Sequence, residues 1–152
     1  VESITLAGLV LATVFLGLLW RSRQGVVRAP STAAAGVDWP ARLGEIGVEP
    51  GPRATFVQLS AAVCAPCRAT ARVLSALADA ERGVVHTELD VEAHPDLVHA
   101  AHVLRTPTVV VLDGAGTEVA RSSGAMTPAQ ARTALAVVGG ATADDETRGR
   151  TV

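Results

Sequence analysis

The 152-residue chain contains no lysine; all 13 of its basic residues are arginine. With its abundance of Ala, Gly, Val and Pro, it reads as the product of a GC-rich genome. Acidic and basic residues nearly cancel, leaving a net charge of −2, which excludes the basic footprint of a nucleic-acid binder. Cysteine is scarce. Two cysteines cannot build a disulfide scaffold, and they fit a cytosolic site as well as an extracytoplasmic one. Internal repeats are absent. The length suits one modest domain with appendages.

Charge is missing altogether from Ser3 to Trp20. That apolar run is just long enough to span a bilayer core of ~30 Å, with Trp20 at the interface. A secretory signal needs a positive leading region and a cleavage site close to the apolar core. Only Glu2 stands before the run, and Ala33-Ala34-Ala35 lies too far beyond it. Residues 3–20 are therefore expected to be an uncleaved transmembrane anchor in a single-pass protein of the cell membrane. Arg21, Arg23 and Arg28 follow the run, so the positive-inside rule places the remainder of the chain in the cytoplasm. The alternative is an extracytoplasmic domain.

Residues 21–37 lack a sustained apolar stripe and read as a linker. Asp38 can cap a short helix that carries Trp39 and Pro40 in its first turn. A buried strand is expected at Thr55–Ser60, followed by Cys64-Ala65-Pro66-Cys67 and a helix to about Arg82. Strand, C-x-x-C and helix in that order are the layout of a thiol–disulfide site. The helix N-terminus favours a thiolate, so Cys64 is expected to ionise more readily than a free cysteine. Cys67, one turn in, is shielded. The pair therefore divides into an attacking thiol and a resolving thiol.

Beyond Gly83 the sequence predicts a strand over 84–90 and a helix from His94 to about Leu104. Val109-Val110-Val111-Leu112 suits a buried strand, Asp113-Gly114-Ala115-Gly116 a hairpin turn, and 117–121 the return strand. Thr127-Pro128 opens a last helix ending at Gly139-Gly140. The polar segment 141–152 is expected to be disordered.

This element order resembles the thioredoxin-like superfamily over about residues 38–140. Two motifs carry the resemblance: Cys64-Ala65-Pro66-Cys67, and Thr106-Pro107, with Pro107 forty residues after Cys67 and directly before a buried strand. The resemblance implies an α/β fold, a central mixed sheet flanked by helices. It implies a cis peptide bond before Pro107 and a substrate groove built from Ala65, Pro66, Thr106 and Pro107. It also implies a protein-disulfide oxidoreductase acting on protein disulfides or dithiols near the membrane. Such an enzyme needs no cofactor beyond its own redox-active disulfide, but it does need a recycling reductase or membrane redox partner. The chain departs from the family pattern in several places. Val63 stands where tryptophan is usual, and Ala65 where glycine is usual. Gln58 occupies the place of a buried aspartate six residues before the first cysteine. His86 is the approximate counterpart of a lysine near that aspartate. Gln58 and His86 are thus the candidates for a proton relay. The first strand of a full thioredoxin is not evident.

The rival reading is a non-catalytic anchored module that docks a partner or binds metal. Cys64 and Cys67 would then act with His99 and His102. Structural zinc motifs more often place three to five residues between their histidines, and the expected fold keeps that helix away from the cysteines. No metal site is expected.

Overall fold

The computed structural model describes residues 2–22, 25–29 and 36–149, with side chains at 5–19, 25–29 and 36–140. Helix α1 (Glu2–Ser22) is followed by α2 (Trp39–Glu45), β1 (Ala54–Ser60), α3 (Ala65–Ala80) and β2 (Val84–Asp90). Then come α4 (Pro95–Ala100), β3 (Thr108–Asp113), β4 (Glu118–Ser123) and α5 (Pro128–Gly149). The strands form one mixed sheet in the order β2-β1-β3-β4, with β1 parallel to β2 and antiparallel to β3.

Alternation along the strands divides the core into two layers. Ala54, Phe56, Val109 and Val111 face Leu74 of α3 and Ala131, Ala134 and Leu135 of α5. Val57, Leu59, Val110 and Leu112 face Trp39 and Leu43 of α2 and Leu97 of α4. The central strand β1 is buried at every position, as expected for a strand covered on both faces.

Side-chain chemistry explains where several elements start and stop. Asp38 caps α2 by accepting a hydrogen bond from the Ala41 amide at 3.1 Å. Trp39 donates from its indole nitrogen to Glu118 at 3.2 Å, and Glu118 forms a two-pronged ion pair with Arg121 at 2.7 and 2.9 Å. Arg121 also donates to the Ala101 carbonyl, so one polar cluster ties α2, β4 and the end of α4 together. Helix α4 stops earlier than expected. His102 adopts φ +50°, and the amides of Val103 and His102 close back on the carbonyls of Val98 and His99. This is a Schellman ending with histidine in the place usually held by glycine. Asp113 organises the hairpin turn by accepting from the amides of Ala115 and Thr117.

Three expectations change. Part of the 21–37 segment lies on the sheet. The Gly25 amide donates to the Ser123 carbonyl, and Arg28 and Arg121 exchange a pair of backbone hydrogen bonds at 2.8 Å. These residues strap the free edge of β4. Gly25 has φ +67°, and a Cβ there would run into the Ala125 carbonyl, so a side chain fits neither the backbone nor the space. Helix α5 continues to Gly149, past Gly139-Gly140 and through most of the segment expected to be disordered. Glycine weakens a helix by ~1 kcal/mol but does not by itself end one.

The third change concerns the anchor. Helix α1 holds the apolar run, and Leu9, Val10, Leu11, Phe15 and Leu16 stand exposed around it. Among the described residues no helix is long and apolar enough to cross a membrane. A transmembrane anchor over 3–20 is therefore not supported.

Candidate redox site

Strand β1 ends at Ser60, and a three-residue loop delivers Cys64 to the start of α3. Cys64 is the N-cap, with extended backbone (φ −143°, ψ 95°), and its sulfur accepts a hydrogen bond from the Cys67 amide at 3.2 Å. Ala65 and Pro66 form the first helical turn, where proline's missing N–H costs nothing, and both are exposed. Cys64 and Cys67 are joined in a disulfide, with Cα atoms 5.2 Å apart. Cys64 is 8% exposed and Cys67 only 1%. A partner can therefore approach Cys64, while Cys67 is sheltered on the inner face of α3. Val63, just before the pair, is almost fully exposed.

The pairing of Leu59 with Thr108 brings the start of β3 to the same end of the sheet as the cysteine loop. The Thr106–Pro107 bond is cis, as the resemblance implied. Pro107 is buried, Thr106 half-buried and Arg105 exposed. The Pro107 carbonyl accepts from the Gly124 amide at 2.8 Å, and Thr108 Oγ1 donates to the Arg105 carbonyl. Both bonds hold the loop from its inner side.

Beneath the disulfide, Gln58 is fully buried. Its Nε2 group lies 2.9 Å from the Cys67 carbonyl, 2.8 Å from Ser60 Oγ and 3.2 Å from Glu88 Oε1. Two of these three partners can only accept, which fixes the orientation of the amide. Glu88 stands directly opposite Gln58 in the β1–β2 register. It also lines a cavity of about 290 Å³ together with Cys67, Arg68, Asp90 and Ser60.

The residues singled out from the sequence are thus only partly brought together. Gln58 reaches the Cys67 backbone. His86 lies two residues before Glu88 and is not part of that cavity wall. Its Nδ1 shares a hydrogen bond with Ser75 Oγ at 3.1 Å, and its buried Nε2 has no hydrogen-bond partner among the described residues. Burial holds the His86 pKa below its usual value, with the Glu88 charge pulling weakly the other way. Sequence reasoning missed Glu88. The signal was available in principle, because a residue two places from His86 shares its face of the strand. Only the strand register shows that this face brings Glu88 opposite Gln58.

His99 and His102 lie at the end of α4, on the opposite side of the sheet from α3, with ring centroids 6.5 Å apart. Among the described residues no group of three or more His, Cys, Asp or Glu side chains is placed to hold a metal ion.

A mixed sheet with helices on both faces, a C-x-x-C disulfide at a helix start and a cis-proline loop beside it define a thiol–disulfide oxidoreductase fold and site. The thioredoxin family profile matches residues 48–136, and the chain belongs to the thioredoxin family. Solved structures agree. Fasciola hepatica thioredoxin is 28% identical with a TM-score of 0.53, the match covering 68% of this chain and 94% of that one. A chloroplastic thioredoxin z, described as defining type-specific target recognition, is 25% identical with a TM-score of 0.53, over 59% and 80% of the two chains. Mitochondrial thioredoxin 3 of Saccharomyces cerevisiae, in its oxidised form, shares the fold at 24% identity and a TM-score of 0.50, over 55% and 77%. No curated protein sequence matches the chain.

Proposed function

We propose that the protein exchanges its Cys64–Cys67 dithiol with disulfides of partner proteins, Cys64 attacking and Cys67 resolving. The observation that carries this assignment is the asymmetry of the pair. Cys64 caps the helix and can be reached, whereas Cys67 is almost wholly enclosed. Cys64 thiolate attacks a partner disulfide and forms a mixed disulfide. Cys67 then attacks Cys64 Sγ, the Cys64–partner bond breaks, and the partner leaves as a dithiol. Exposed Ala65 and Pro66 and the Thr106–Pro107 backbone would frame the partner segment. A reductase or membrane redox partner would return the disulfide to the dithiol.

The proposal extends to location. Helix α1 presents apolar side chains in every direction, and such a helix is stable only in an apolar setting. We read residues 3–20 as attaching the protein to a membrane, with Arg21, Arg23 and Arg28 drawn to the anionic cytoplasmic face, which would place the redox domain in the cytoplasm. A cytoplasmic poise would hold the pair reduced, so its work would be reduction of partners near the membrane.

Alkylation followed by mass measurement tests the redox reading. The reduced protein should gain two adducts and the oxidised protein none, and the reduced form should open the disulfides of insulin. Two adducts in both states, or an inert reduced form, would exclude it.

A further inference from the structure

The resolving step has an unmet chemical need. Cys67 can attack only as a thiolate, yet it is only 1% exposed, and the cavity it lines is its route to a proton acceptor. Gln58, the polar residue packed against its backbone, has no site that takes up a proton. Two carboxylates share the cavity with Cys67: Glu88 and Asp90. Asp90 is engaged elsewhere, its Oδ1 accepting from the Glu92 amide at 2.9 Å in the turn after β2. Glu88 is held toward Cys67, because a single Gln58 amide group bonds both Glu88 Oε1 and the Cys67 carbonyl. The cavity of about 290 Å³ has room for several waters, each occupying ~30 Å³ in the liquid.

We propose that Glu88 is the proton acceptor for Cys67 in the resolving step, a reading that rests on the dithiol exchange proposed above. In the mixed disulfide, the Cys67 S–H proton passes through cavity water to the Glu88 carboxylate. The Cys67 electron pair forms the bond to Cys64 Sγ. The bond from Cys64 to the partner sulfur breaks, and its electron pair leaves on that sulfur, which takes up a proton. The partner disulfide gains two electrons and the protein dithiol loses two. This chain thus carries its carboxylate on β2 rather than on β1, with Gln58 linking the two strands. The charged and titratable groups facing Glu88 are Arg68 on α3 and Asp90 and His86 on β2; β1 presents only Gln58 and Ser60.

Stopped-flow reaction of the reduced protein with excess dithiobis-nitrobenzoate separates the steps. The first thionitrobenzoate released reports attack by Cys64, and the second reports displacement by Cys67. Glu88→Gln keeps the acceptor for Gln58 but removes the base. It should slow the second phase by about tenfold or more and abolish the acid limb of its pH profile, while leaving the first phase unchanged. Glu88→Asp should restore the acid limb. A second phase in Glu88→Gln with the wild-type rate and pH profile would overturn the proposal, as would an equal loss in Asp90→Asn. Absence of a first phase in the wild type would instead overturn the dithiol reading itself. Matching thermal melts of the variants exclude unfolding as the cause.

Discussion

His86 shows how a single residue links burial to pH. Its ring is half-buried between β2 and α3, and burial lowers its pKa from 6.5. The unfolded chain therefore binds a proton more readily than the folded one in the window below 6.5. Stability from this residue is complete above that value and is lost as pH falls beneath it. Thermal melts should show a falling midpoint as pH drops from ~7.5 to ~5.5, and His86→Gln should flatten that part of the curve. An unchanged slope in the variant would remove His86 as its source. The same ring bonds Ser75 rather than approaching the disulfide. Its sequence position suggested a relay, but hydrogen-bond partners are a property of the packed pair of elements. Gln58 illustrates the opposite case. Six places before Cys64 on a buried strand, it was expected near the cysteines, and it does bond the Cys67 carbonyl.

At the scale of elements, two connections hold the layers in register. The Glu118–Arg121 pair is nearly buried, with side chains 7% and 12% exposed. Arg121→Leu leaves the Glu118 carboxylate with Trp39 as its one side-chain donor among the described residues, and urea unfolding should register a loss of ~3–5 kcal/mol. A loss below ~1 kcal/mol would mean that the pair behaves as a surface ion pair. The second connection is the strap over β4. Gly25→Val should release it, and hydrogen exchange should then accelerate at the Arg121 amide, which donates to Arg28. The amides of β1 should keep their protection. The β-branched run at 109–112, the hairpin at Asp113-Gly114 and the C-x-x-C helix were legible because side chains dictate them. The strap was not, because it pairs through backbone groups that every residue carries. The run-on of α5 past two glycines was hidden for a related reason. Glycine disfavours a helix by a small increment, and neighbouring residues such as Ala141 and Ala143 restore it.

For the whole molecule, the apolar helix and the redox domain are separate problems joined by the strap. Ser22 ends α1 and Gly25 is already bonded to Ser123, at the cysteine-bearing end of the sheet. Three residues reach at most ~11 Å, so the helix leaves the domain near its dithiol. Alkaline phosphatase fused after Gly140 should be inactive and a cytoplasmic reporter active; the reverse would place the domain outside. The claim on which everything else depends is the division of labour between the two cysteines. Trapping measures it directly. Cys67→Ser, incubated with oxidised partner proteins and resolved without reductant, should accumulate mixed disulfides through Cys64, whereas Cys64→Ser should trap little. Equal trapping by both variants, or trapping through Cys67 alone, would contradict the account.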